Sequence, residues 1–227
     1  MLKKVWMFGM IGLLVGYPAL VLEAKDELGE KLIEQVMAQD LEGVKTLVEK
    51  GADVNYQNES SQATALMMAA NYEMFDIAEF LLEEGADVNR RDANGMTALM
   101  AAAGRSQEMV ELLLEHGADI TITPTKGAGA FTNCIVAVMT ERVPLSLAER
   151  LLEEGANVDE PRPSGRSQGY TPLMIVARNG DVKLAEFLVE HGADVNAKAE
   201  DGTTALSLAK KKEQEDIVKY LVKMGAK

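Results

Sequence analysis

The sequence predicts an all-α fold, a solenoid in which short helix-turn-helix units stack in a single row, and three observations carry that prediction. A Gly-Ala pair ends an amphipathic segment six times, at Gly51, Gly85, Gly117, Gly155, Gly192 and Gly225, at intervals of 34, 32, 38, 37 and 33 residues. The fourth residue before each of these glycines is always leucine: Leu47, Leu81, Leu113, Leu151, Leu188 and Leu221. Four units also contain a Thr-x-Leu step, at Thr64, Thr97, Thr171 and Thr204. A period of this length marks units that cannot bury their apolar faces alone and do so by stacking on their neighbours.

The units divide residues 25–227 into 26–57, 58–91, 92–123, 124–159, 160–199 and 200–227. In the first, Leu28, Leu32, Ile33, Val36 and Met37 describe an amphipathic capping helix. In the second and third, Thr64 and Thr97 are N-caps whose hydroxyls accept from the free amides of a first helical turn. Ala69-Ala70 and Ala101 to Ala103 then let neighbouring helices approach closely. The second helix of every unit places apolar residues three, four and seven positions before its glycine, as in Val48, Leu47 and Val44, which is one stripe of a short helix. The glycine supplies the left-handed backbone that ends it.

The fourth unit is irregular. Its first helix is expected to start at Thr132-Asn133-Cys134-Ile135, and Arg142-Val143-Pro144 separates its two helices. Long loops flank it: Thr121 to Phe131, with Gly127-Ala128-Gly129, and Asp159 to Tyr170, with Pro161-Arg162-Pro163-Ser164-Gly165-Arg166. Insertions of this kind fall on one face of a solenoid, often the binding face. In the fifth unit Pro172 follows Thr171, where a first turn tolerates proline. The sixth ends in a lysine-rich helix, a solvated cap.

Residues 1–24 differ from the rest. Lys3 and Lys4 precede an apolar run from Val5 to Leu22, and the small Ala24 follows, the pattern of an export signal cleaved after Ala24. That run of 18 residues also reaches the lower limit for a membrane span of about 17 residues, so an uncleaved anchor is the alternative. Pro18 and the acidic stretch from Glu23 favour cleavage.

Lys and Arg number 23 against 36 Asp and Glu, a net charge of −13. Such a chain repels phosphate, so nucleic acid is not an expected partner. One Cys and two His close no intramolecular disulfide and fill no four-ligand Cys/His zinc site. Phosphate-loop, serine-elbow and His-Glu-x-x-His patterns are absent from the sequence. His116 and His191 each precede a capping glycine, where an imidazole bonds the last carbonyls of a helix. Cys134 occupies the position of Leu66, Leu99, Leu173 and Leu206, that of a small buried hydrophobe. Most of the 13 methionines align with core positions, which favours packing over a soft-metal site. No catalytic residue, metal or cofactor is expected.

Asp92-x-x-Gly95-x-Thr97-x-Leu99, the leucine-striped helix that follows and Gly117-Ala118-Asp119 together resemble the ankyrin repeat, and the likeness recurs over about 200 residues. The resemblance implies helix pairs in an L-shaped stack, with β-turn fingers along one side. It also implies non-catalytic protein binding by the concave face of fingers and inner helices. Carried over unit by unit, that face comprises Asn71, Tyr72, Met96, Arg105, Phe131, Thr140, Tyr170, Arg178 and Asn179; its aromatics and arginines are the types that dominate interface energetics. Met67, Met100 and Met174 stand where the family usually has His after Thr-Pro-Leu, so the hydrogen bonds of that His are expected to be lost. With the export signal, the expectation is a monomeric binding protein in the periplasm or outside the cell, a companion of a periplasmic enzyme or a toxin-immunity protein. A membrane-tethered scaffold, and an enzyme or metal-binding protein, are the alternatives.

Overall fold

The computed structural model describes residues 27–165 and 167–227; the export-signal reading of residues 1–24 lies outside them. The described residues form paired helices and no strand. The pairs are α1 (27–37) with α2 (Leu41–Glu49), α3 (Ala65–Asn71) with α4 (Phe75–Glu83), and α5 (Ala98–Ala102) with α6 (Gln107–Glu115). Then follow α7 (Ala130–Met139) with α8 (Leu145–Glu153), α9 (Pro172–Asn179) with α10 (Val182–Glu190), and α11 (Ala205–Lys211) with α12 (Glu215–Lys223). The inner helices form one row, α3 on α5, α5 on α7, α7 on α9 and α9 on α11, while each outer helix packs back on its own partner. This is the all-α solenoid that the repeat predicts.

The repeat leucines set the core. Leu81, Leu113, Leu151, Leu188 and Leu221 are fully buried, and Leu47 keeps 9% of its surface. Val44, Ala78, Val110, Ala148 and Ala185, one helical turn earlier, are also fully buried. Gly51, Gly85, Gly117, Gly155, Gly192 and Gly225 all have left-handed φ values between 83° and 93°, where a β-carbon would be strained.

Each regular inner helix starts on its threonine. Thr64, Thr97, Thr171 and Thr204 accept through Oγ1 from the amides of Met67, Met100, Met174 and Ser207 at 3.2 to 3.4 Å. The bond expected to vanish with the family's His survives in part. The Thr64 amide donates to Met67 Sδ at 3.5 Å and the Thr204 amide to Ser207 Oγ at 2.9 Å. A thioether sulfur is a weak acceptor, so Met67 combines packing with a residual cap.

The exits of the inner helices hold a feature that the sequence does not announce. Gln39, Glu73, Glu141 and Glu213 adopt left-handed φ values of 56° to 59°, and Gly180 takes the same place in the fifth unit. The third unit does without it: its turn through Ala103, Gly104 and Arg105 closes with the amides of Arg105 and Ser106 on the Ala102 carbonyl. α5 is correspondingly short, five residues against ten for α7.

Successive fingers are fastened by asparagines. Asn55 donates from Nδ2 to the Gly85 carbonyl at 3.2 Å and accepts from the Asp87 amide. Asn89 does the same with Gly117 and Asp119, and Asn196 with Gly225 and Lys227. The fourth unit breaks this ladder on both sides. Thr121 replaces the asparagine before it, and its hydroxyl turns back to Asp119 at 2.6 Å. Asp159 replaces the one after it and only accepts, from the Asp194 amide at 2.9 Å.

The fourth unit also corrects the expected helix start. α7 begins at Ala130, two residues before Thr132, with Gly129 as an N-cap that has no side chain to offer. Glu160, from the following finger, reaches back instead, and the Thr132 amide and Oγ1 both lie 3.3 Å from its Oε2. The carboxylate leaves no room for a β-carbon at Gly129. Only 6% of Glu160 is exposed. Burial pushes its carboxyl above the ordinary range, and the two Thr132 bonds oppose that shift. A carboxylate at the start of a helix is stabilised by the free amides and the dipole there. Glu160 thus does for α7, from the next unit, what threonine does elsewhere.

Asp159 is raised by burial first, with repulsion from Asp194 adding and the Asp194 amide opposing. Its charge therefore weakens the folded state at neutral pH, and protonation relieves the penalty as pH falls through the raised value. Replacing Asp159 by Asn restores the two-bond bridge and is expected to raise stability at pH 7 by about 0.5 to 1 kcal/mol. Denaturant titrations at several pH values check this: the gain over the parent should shrink on acidification.

Candidate functional site

The inner helices and fingers form a groove of about 650 Å³ across the second, third and fourth units. Its depth has a simple origin. The residue four places after the inner-helix threonine is Met68 in the second unit, Ala101 in the third and Val136 in the fourth. Three places later stand Asn71, Gly104 and Met139. Two small residues in the third unit, between larger ones, make a notch. The half-buried Met68 and Met96 line it, the buried Met67 and Met100 form its floor, and Val136 is 42% exposed.

The two ends of the notch differ in chemistry. At the finger end, Asp92 is engaged by its own turn, its Oδ1 accepting from the amides of Asn94 and Met96 at 2.8 Å. Asn133 fixes the fourth inner helix to the third by donating from Nδ2 to the Met100 carbonyl at 2.9 Å. At the far end, where the inner helices stop, lie Arg105 and Arg142, both exposed. Among the described residues, neither is in an ion pair; the ion-paired arginine is Arg150, on the outer helices with Glu154 and Glu111.

Four of the nine residues expected at the binding face come together here: Asn71, Met96, Arg105 and Thr140. Tyr72 is 52% exposed but borders a separate shallow depression with Gln39, Leu41 and Met74. Arg178 and Asn179 sit at the end of α9 beyond the groove, and Asn179 Nδ2 approaches Met139 Sδ at 4.0 Å. Tyr170 is half-buried against the core. Phe131 is a correction. It lies inside α7 instead of on the finger and is 1% exposed, so its ring is core and out of a partner's reach. The early start of α7 turned it inward. Val136, Arg142, Ala101 and Gly104 are not among the residues that the sequence places on the binding face; the signal is in the column Met68, Ala101, Val136.

The reactive groups are placed structurally. Cys134 is fully buried and its thiol is pushed up to about 12 by burial, which leaves it unreactive. His116 Nδ1 lies 2.9 Å from the Leu112 carbonyl and His191 Nδ1 2.8 Å from that of Phe187, at the ends of α6 and α10. Among the described residues, no cluster of three or more His, Cys, Asp or Glu could hold a metal ion, and no helix is long and apolar enough to cross a membrane.

Fold and surface together define a repeat protein with an open, apolar, methionine-lined concave face. A family model of ankyrin repeats in sets of three matches residues 32–124 and 135–227, and the chain belongs to the ankyrin-repeat family. The unmatched residues 125–134 hold the latter part of the long finger and the early start of α7. The chain is 28% identical over 195 residues to the ankyrin repeat protein YahD of Escherichia coli strain K12, covering 82% of this chain and 92% of YahD. It is 36% identical over 178 residues to the human 2-5A-dependent ribonuclease, but spans only 24% of that protein and 77% of itself. Among solved structures, the ankyrin repeat domain of Bcl-3, an IκB-family protein, matches with a TM-score of 0.70 and 27% identity over 87% of this chain and 86% of that one. Ankyrin repeats generally mediate protein–protein interaction, and the repeat region here is of that kind alone.

Since Phe131 is core, Phe131→Ala is expected to cost about 3 to 5 kcal/mol of stability. A denaturant melt that superimposes on the parent's would return Phe131 to the surface.

Proposed function

We propose that this chain is a non-catalytic binding protein of the periplasm or cell exterior that grips one protein partner with its concave face. One observation carries the reading: the groove over the second to fourth units, which leaves Val136 42% exposed and Met68 half-buried while the same stripe elsewhere, at Ile175 and Leu208, is buried. Exposed apolar surface of this kind marks interaction sites, and flexible thioethers adapt to a partner's shape. Export is supported by Lys3-Lys4, the apolar run and Ala24. A companion protecting a periplasmic enzyme and a toxin-immunity protein both suit such a surface, and the protein acts as a monomer in either. The length of the apolar run favours, as a second reading, the same module tethered to the membrane.

Paired substitution of Met68→Glu and Val136→Glu should abolish capture of the partner that the parent protein retains from periplasmic extract, while Glu79→Lys on the outer helices should not. Equal capture by all three removes the concave face from the reading. Trp6 is the only tryptophan, so a cleaved exported form emits tyrosine fluorescence alone, and tryptophan emission supports the tether.

A further inference from the structure

The notch in the third unit has a shape and a charge that specify more than a generic partner. In the other units, the position of Ala101 holds Met68, Val136, Ile175 or Leu208, so the repeat itself accepts a large apolar residue there. Ala101 and Gly104 withhold that volume in one unit, between the side chains of Met68 and Val136. The Asn133 carbonyl oxygen of α7 lies 3.6 Å from where a β-carbon on Gly104 would stand, an ordinary contact distance, so α7 borders the notch at that point. The space over Ala101 and Gly104 is thus flanked by the inner helices that carry Met68 and Val136.

Charge selects what lies beside that side chain. The chain has a net charge of −13, yet the groove lining carries Arg105 and Arg142 against the single carboxylate of Asp92. Asp92 is at the finger end and already accepts two amides. Both guanidiniums are at the opposite end, exposed and outside every ion pair among the described residues. Guanidinium groups bind carboxylates with two parallel hydrogen bonds, and a local positive site on an acidic protein steers acidic segments to it.

We infer that the notch is a socket for a segment of a partner protein that inserts one large unbranched or γ-branched apolar side chain, Leu, Met or Phe, between Met68 and Val136. An Asp or Glu of the same segment then pairs with Arg105 and Arg142. The inference rests on the concave-face reading and names the partner's chemistry. Ala101 and Gly104 provide the volume, the methionines close around the inserted side chain, and the arginines set its orientation, carboxylate toward the ends of α5 and α7.

The test is selection of random twelve-residue peptides displayed on phage against the full-chain protein, followed by affinity measurement on synthetic copies. The recovered peptides should converge on a large apolar residue flanked by Asp or Glu. Ala101→Met, which installs what the second unit already carries, should weaken them at least tenfold with a melting temperature no lower than the parent's. Arg105→Gln with Arg142→Gln should do the same and flatten the salt dependence of binding. No recovered peptide, a basic consensus, or affinity indifferent to Ala101→Met overturns the inference. If Met68→Glu with Val136→Glu releases the captured natural partner but Ala101→Met and the arginine pair do not, the socket fails and the concave-face reading stands. If none of the variants releases it, both fail.

Discussion

Everything in this molecule depends on burial between neighbours. A helix pair of this size has one apolar stripe and no second layer of its own to cover it, so each unit is finished by the next. Leu81, Leu113, Leu151, Leu188 and Leu221 lose all their accessible surface in that way, each removal of apolar area contributing about 25 cal/mol per Å². The last described helix shows the same rule from the other side: Val222 on α12 is 54% exposed, whereas the equivalent Val189 on α10 is half-buried with α12 packed beside it. Stability in such an array is a sum of unit and interface terms, and a weak interface is a local matter that does not propagate.

The fourth unit is where those interfaces change character. Regular junctions are held by neutral groups, a threonine cap and an asparagine bridge, each able to donate and accept. Around the fourth unit the same tasks fall to carboxylates, Asp159 for the bridge and Glu160 for the cap. Both are raised by burial, so both lose stabilising power as pH rises through their shifted values. The exchange has a geometric cause. With Gly129 as the N-cap of α7, the cap has no side chain to turn back on the first amides, and Glu160 of the following finger accepts from Thr132 instead.

Much of this was legible in the sequence, because periodic features are written six times over. The leucine column, the glycine exits and the threonine caps follow from spacing alone, and the structure places them as that spacing requires. Phe131 was misplaced for a reason that periodicity cannot see. Aligning Thr132 with the other threonines puts Phe131 on the finger, and nothing nearby in sequence signals that Glu160, nearly thirty residues on, holds the helix open two residues earlier. Left-handed Gln39, Glu73, Glu141 and Glu213 escaped for a related reason: a non-glycine in that conformation is imposed by the packed helices on either side, and its own side chain gives no warning.

The binding face was half legible because it obeys the opposite logic to the core. Core positions are found by what recurs, whereas a groove is made by what fails to recur. Asn71, Met96, Arg105 and Thr140 were reachable from their place in the unit, but the space between them exists only because Ala101 and Gly104 are small where Met68 and Val136 are not. Filling that space would bury more apolar surface against two existing walls, and the repeat tolerates the larger side chains in every neighbouring unit. A sequence governed by the stability of the stack alone would carry methionine or valine at residue 101. Alanine there leaves apolar walls wet, a cost to the free protein that a partner's side chain removes on binding, and the same reasoning accounts for two arginines that, among the described residues, form no ion pair on a chain so rich in acids.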